Sequence, residues 1–245
     1  MSMVVERGFT IVELMLFLAV SGVLFAALML GIGSNVNQQR YRNDVADFKS
    51  LLQNQYAEVL TPQNIRSSDT TCDSSTSVPK PTDAPGADDR GATECVILGR
   101  SIQIKNGTEV TVANVVGRED ENILRSIRDR GQDTTVFSSY HPQISSIDKS
   151  RSDLSATLKR FDRTVLDVTV LVLRSPVNGL VKVYWSNGVV VPAAVLSAPS
   201  ASKFEACFGG GADAASMPVQ VISINTNIAG ADGIVSRDAA AGECP

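Results

Sequence analysis

Histidine occurs once in this chain, and that scarcity narrows the chemistry at the outset. A Ser/His/Asp arrangement would have to be built on His141, which stands in Ser138-Ser-Tyr-His-Pro142 with no nucleophile-elbow context and reads as a surface-loop residue. Cysteine is also sparse. Cys72, Cys95, Cys207 and Cys244 fall in no CxxC or Cys/His metal spacing, so neither a metal nor a cofactor is expected. Gly209-Gly-Gly211 has no Lys-Ser/Thr behind it, which removes a phosphate loop and leaves a turn. An excess of charge of one sign is missing too. With 22 basic and 26 acidic residues and a formal net charge of -4, the chain has no general electrostatic drive toward nucleic acid or anionic lipid. No internal repeat is evident.

What the chain does have is a long hydrophobic run. Between Phe9 and Ile32 the only charged side chain is Glu13, and as a helix rising about 1.5 Å per residue the stretch would reach about 36 Å, enough to cross a bilayer. A lone carboxylate in a membrane helix costs about 2.5–3.5 kcal/mol and is rarely left unpaired. Glu13 therefore needs a partner, and the hydrophobic stretch offers none. Ala19, Gly22 and Ala26 keep one helix face small, with Gly22 and Ala26 at the spacing that lets helix backbones approach closely. Gly31 and Gly33 each cost about 1 kcal/mol relative to alanine and soften the far end. A secretory signal peptide, with Ala26-Ala27 read as its cleavage site, and a plain membrane anchor are the competing readings, although the residues before the run lack a strong basic segment.

Arg7-Gly8 directly before Phe9-Thr10-Ile11-Val12-Glu13-Leu14 resembles the processing site of type IV prepilins and related pseudopilins. The resemblance covers only the N-terminal part of the chain. It implies that a prepilin peptidase cuts after Gly8 and N-methylates Phe9, so that residues 1–8 are a leader. Residues 9–33 would then be first a membrane anchor and later a filament core, residues 34–60 the amphipathic half of the same helix, and residues 61–245 the ectodomain. Under this resemblance the amine created by cleavage on a neighbouring subunit neutralises Glu13 in low dielectric. The implied partners are further copies or other pilin subunits, the peptidase, an assembly platform and the membrane. The implied location is the cytoplasmic membrane in a single pass, then a cell-surface filament with the C-terminal domain outside. Many members of the class carry a proline near the membrane end, where this chain has Leu30. A low-abundance subunit at the filament tip that binds a surface or DNA is the alternative within the class.

Beyond the run, the pattern turns amphipathic. Tyr41, Val45, Phe48, Leu52, Tyr56 and Val59 recur at three- and four-residue steps, so one stripe is expected to pack on a globular domain and a single helix is expected over 9–60, ending before Pro62. A coiled-coil stalk would need a sustained heptad, which is missing. Residues 61–94, rich in Ser, Thr, Pro and Asp, read as a long loop. The four cysteines all follow the membrane run and read as two disulfides in an oxidising compartment. Of three connectivities the sequence-local one, Cys72 with Cys95 and Cys207 with Cys244, is the expectation.

Strands are expected at 95–104 and 109–116 around Asn106-Gly107, the strongest short hairpin signal in the chain. A short helix follows at 119–130, then strands at 165–174, 180–185, 189–191, 203–208 and 219–225. The residues after 225 are rich in Gly, Ala and Asp and would be loose without Cys244. The fold class is α+β, with a long N-terminal helix packed on an antiparallel ectodomain sheet.

The remaining candidates are weak. Arg118, Arg125, Arg128 and Arg130 could meet the phosphates of nucleic acid, but Glu119, Asp120, Glu121 and Asp129 among them largely cancel the field. Asp232 and Asp238 flank a loop that could hold calcium, as in some pseudopilins; their spacing is not that of an EF-hand, and a solvated acidic loop is the better reading. Asn106-Gly-Thr108 matches a glycosylation sequon, and a hairpin turn accounts for it equally. The surviving enzyme reading is a membrane-tethered hydrolase, which would need His141 beside a nucleophile in a cleft.

Overall fold

The computed structural model describes residues 10–61, 70–73, 78–81, 95–118, 133–145, 149–154, 156–162, 164–198, 203–209, 219–226, 228, 230–240 and 242–244, with the backbone alone described at 30–37, 70–73, 78–81, 95 and 133–135. Two compact units divide the chain, Met1–Asn43 and Asp44–Pro245. Helix α1 (Ile11–Leu60) supplies residues to both.

In the first unit α1 carries the apolar run. Ile11–Met29 is long and apolar enough to cross a membrane, and none of it is buried by the protein. The backbone stays helical through Gly31 and Gly33. Tyr41, close to the end of this unit, is buried.

The second unit begins with the last turns of α1, whose stripe of Val45, Phe48, Leu52, Tyr56 and Val59 is buried as its spacing predicts. Burial pushes the Tyr56 hydroxyl up to about 12, which keeps it neutral. Among the described residues three antiparallel sheets follow. Strands β1 (Thr70–Asp73) and β2 (Val78–Pro81) form a two-stranded ladder inside the stretch expected to be all loop. That is a correction. Backbone pairing between the two short segments supplies an order that their composition does not signal.

The largest sheet contains β3 (Cys95–Lys105), β4 (Glu109–Arg118), β5 (Gln143–Ile144), β6 (Ser150–Asp153), β8 (Val168–Arg174) and β9 (Val181–Asn187), in the order β5-β4-β3-β8-β9 with β6 also on β4. β3 and β4 form the hairpin expected at Asn106-Gly107. A bulge interrupts β3 between Ile97 and Gly99, and at Gly99 a Cβ would stand 2.0 Å from the Val172 carbonyl oxygen. The smaller sheet runs β12-β11-β10-β7, from β7 (Thr157–Lys159), β10 (Lys203–Gly209), β11 (Gln220–Asn225) and β12 (Ile234–Asp238).

Both faces of the large sheet are covered, so β4 and β8 are buried almost without alternation along their length, Thr111 and Asn114 of β4 included. On one face, short helices α2 (Asp133–Ser139) and α3 (Pro192–Ser197) pack Phe137, Val195 and Leu196 against Leu98, Val115, Leu171 and Leu173. On the other, Glu58 of α1 pairs with Arg100 of β3; Phe48 of α1 meets Phe208 of β10 in the four-stranded sheet. Trp185 of β9 meets Phe204 of β10 at 5.3 Å, joining the two sheets.

Residues 189–191 are not a strand. Thr169 Oγ1 accepts from the Val190 N–H at 3.0 Å, and the Val190 carbonyl accepts from Gln103 Nε2 at 3.1 Å, so side chains take the place of a ladder. Pro192 then opens α3, as its fixed φ favours. Val165 lies outside β8 as well, making only a single bridge to Lys159. The residues after 225 contain strand β12, paired with β11 from Ile224 opposite Ile234 to Gln220 opposite Asp238. The expected helix at 119–130 lies outside the described residues, whereas β5, β6, β7, α2 and α3 had no sequence signal strong enough to be expected.

Candidate functional site

The helix start is built by a four-residue pattern, Thr10-Ile-Val-Glu13. Thr10 precedes the first helical residue, its Oγ1 accepts from the Glu13 N–H at 3.3 Å, and Glu13 Oε2 accepts from the Thr10 hydroxyl at 3.4 Å and from the Thr10 N–H at 3.5 Å. The Thr10 carbonyl takes the first helical bond, from Leu14 N–H at 3.1 Å. This is a capping box, which gives Glu13 hydrogen bonds without supplying a charge partner. The partner is polar but neutral. Thr10 orients the carboxylate and satisfies an otherwise orphaned donor, and among the described residues no basic side chain pairs with Glu13. The signal was present as a Thr three residues before a Glu at the mouth of an apolar run.

Along the same helix, Gly22 is open: a Cβ built there meets no atom within 4 Å. Ala19 and Ala26 are exposed with it. Large apolar side chains are equally uncovered, among them Phe17 at 68% and Phe25 at 61% exposure. Gly8 and Phe9 lie outside the described residues.

A second cluster ties down the C-terminus. Cys207 on β10 is disulfide-bonded to Cys244 with the Cα atoms 5.9 Å apart, the pairing expected from their proximity in the chain. Cys72 and Cys95 lie on β1 and β3, and their side chains are outside the described set. One residue before Cys244, Glu243 receives both arms of the Arg237 guanidinium, at 2.6 Å from Nη1 and closely from Nη2, and also accepts from the Ala240 N–H at 2.8 Å. The Arg237 hydrogen bonds hold the Glu243 carboxyl down at about 2, and Glu243 in turn raises Arg237 above its ordinary value. Glu205 stands 3.6 Å from the same guanidinium and 2.6 Å from Lys203.

The other candidates are not drawn together. His141 follows α2 on the surface, with φ at 47° and its N–H donated to the Ser138 carbonyl at 3.2 Å. Gly209 ends β10, while Gly210 and Gly211 lie outside the described residues, as do Arg125, Arg128 and Arg130. Arg118 closes β4, its N–H on the Tyr140 carbonyl at 2.9 Å. Asp232 is exposed in a 3-10 turn, and Asp238 accepts from Gln220 Nε2 at 3.2 Å. Among the described residues no three His, Cys, Asp or Glu side chains converge on one point.

The molecule is an α+β protein whose N-terminal helix is long and apolar enough to serve as a single-pass membrane anchor, with a disulfide securing its C-terminus. No family model, curated protein or solved structure matches the chain.

Proposed function

We propose that this protein is a structural subunit of the type IV pilin class, processed after Gly8, methylated on Phe9 and polymerised through its N-terminal helix. The observation that carries the reading is the contrast along α1. Ile11–Met29 lies wholly uncovered, while Val45 to Val59 on the same helix is built into the core of an α+β domain. A helix surface this apolar needs lipid or other helices around it, and the class supplies both in turn. Glu13, held by hydrogen bonds from Thr10 and paired with no cation among the described residues, is the residue to receive the amine of a neighbouring subunit. The open Gly22 provides room for close approach of helices. The C-terminal domain is the part displayed outside, and the protein catalyses no reaction in this role.

Two measurements test the reading. Mass spectrometry of the mature protein is expected to find methylated Phe9 at the N-terminus, and an intact Met1 would overturn processing. Electron microscopy of sheared cell-surface material, with antibody against the C-terminal domain, is expected to label filaments along their length. Labelling confined to filament ends would transfer the role to a minor tip subunit.

A further inference from the structure

Three Asn-Gly dipeptides stand at turns of the second unit: Asn106-Gly107, Asn178-Gly179 and Asn187-Gly188. In each the glycine has positive φ, at 66°, 72° and 85°. Turn geometry accounts for the pairs. Asn-Gly is also the dipeptide in which a backbone nitrogen most readily attacks the preceding side-chain amide, because glycine places no side chain in the path. Here all three glycine N–H groups are engaged, Gly107 with the Leu166 carbonyl at 2.9 Å, Gly179 with that of Ser175 at 2.8 Å and Gly188 with that of Asp167 at 2.8 Å. Attack therefore requires the turn to open, and the side chains decide which amide is ready when it does.

The side chains differ. Asn187 Oδ1 accepts from Arg160 Nη2 at 2.6 Å, and Asn178 Oδ1 accepts from the Leu180 N–H at 3.0 Å, so each must break a bond to rotate toward its glycine. The Asn106 side chain is exposed and makes no hydrogen bond among the described residues; only its main-chain N–H is held, by Asp167 Oδ1 at 2.6 Å. We propose that Asn106 is the first site of covalent change in this domain, by intramolecular deamidation, and that the change loosens the joint between its two larger sheets.

The reaction needs only water and base. Hydroxide takes the Gly107 amide proton, the nitrogen bonds to Asn106 Cγ, and the side-chain nitrogen leaves as ammonia to give a cyclic imide. Water then opens either carbonyl and leaves aspartate or isoaspartate. The joint is affected because Gly107 sits between the sheets. Its N–H reaches Leu166, just before β8 of the large sheet, and its carbonyl accepts at 2.8 Å from Leu158 of β7 in the small one. The seat is tight, since a Cβ on Gly107 would come 2.4 Å from the Leu158 carbonyl oxygen. While the imide lasts, the donor to Leu166 is gone. The product then places a new carboxylate near Asp167, and isoaspartate lengthens the turn that the Thr108 N–H closes on the Lys105 carbonyl at 3.3 Å.

The test is incubation of the detergent-solubilised full chain at mildly alkaline pH, followed by peptide mapping that separates aspartate from isoaspartate. A urea-denatured sample, in which all three asparagines precede glycine without structure, should convert at the three sites at comparable rates. In the folded protein Asn106 is expected to convert about fivefold or more ahead of Asn178 and Asn187, the factor contributed by one ordinary hydrogen bond. Amide exchange at Leu158 and Leu166 should quicken in the converted fraction. Asn106→Gln should remove the first product and leave the other two rates unchanged. Conversion first at Asn178 or Asn187, or equal folded rates, would overturn the site assignment, and unaltered exchange at Leu158 after conversion would overturn the joint.

Discussion

Phe48 on α1 and Phe208 on β10 meet edge to face, with ring centroids 5.6 Å apart and planes at 66°. Both rings are fully buried, at 1% and 0% exposure, and they tie the helix to the smaller sheet. Phe48→Ala is expected to lower stability by about 3–5 kcal/mol, the cost of a large ring deleted from a packed core. Denaturant unfolding of the detergent-solubilised chain measures it; a loss below about 1 kcal/mol, the scale of a surface change, would mean that α1 is not part of this core.

The Cys207–Cys244 bond closes a sequence separation of 37 residues. Cys244→Ser should cost about 2–4 kcal/mol, chiefly through the freedom returned to the unfolded chain. The variant should also fall out of step with the parent only under oxidising conditions. Equal unfolding midpoints for the two without reductant would contradict the stabilising role.

Glu243 sets an acid limit on the C-terminal clamp. Its folded value, about 2, lies below the ordinary 4.5, so its contribution is complete above about 4.5 and is lost as pH falls toward about 2. Amide exchange of the segment after β12 should therefore quicken over that interval. Glu243→Gln should remove the interval and leave exchange already fast at neutral pH. An unchanged acid profile in the variant would assign the titration to another group.

Thr10 and Glu13 separate capping from charge. Thr10→Ala should weaken the helix start by about 1 kcal/mol, a cap's usual worth, readable as faster amide exchange in the first turn. Glu13→Gln keeps an acceptor for Thr10 but carries no charge. Under the proposed assembly role it should leave cleavage after Gly8 intact and deplete sheared filaments. Normal filament yield from Glu13→Gln would show that the charge is not what assembly uses.

The parts legible in the sequence are those whose signal is local. The apolar run with Glu13, the buried stripe from Tyr41 to Val59 and the hairpin at Asn106-Gly107 each follow from residue periodicity or turn chemistry. The capping box is equally local, because Thr10 and Glu13 stand three residues apart at the mouth of the helix. The misread 189–191 segment shows the opposite case. Three β-branched valines favour a strand, yet Gln103 and Thr169 intercept the Val190 backbone before any strand does, and Pro192 starts a helix.

By itself the sequence determined an anchor-length helix, its amphipathic continuation and the strands that carry their own hydrophobic pattern, because these depend on neighbours within a few residues. Tertiary structure alone decided short strands such as β7 and β12. Thr157–Lys159 becomes a strand only because residues 207–209 lie beside it, and Ile234–Asp238 only because β11 does. Segments of three to five residues bury too little to hold a conformation alone, so their order comes from ladder bonds to partners far along the chain. The same reason places Asn106 beside Asp167. That contact has no local signature, since Asp167 comes from a segment 61 residues further along the chain.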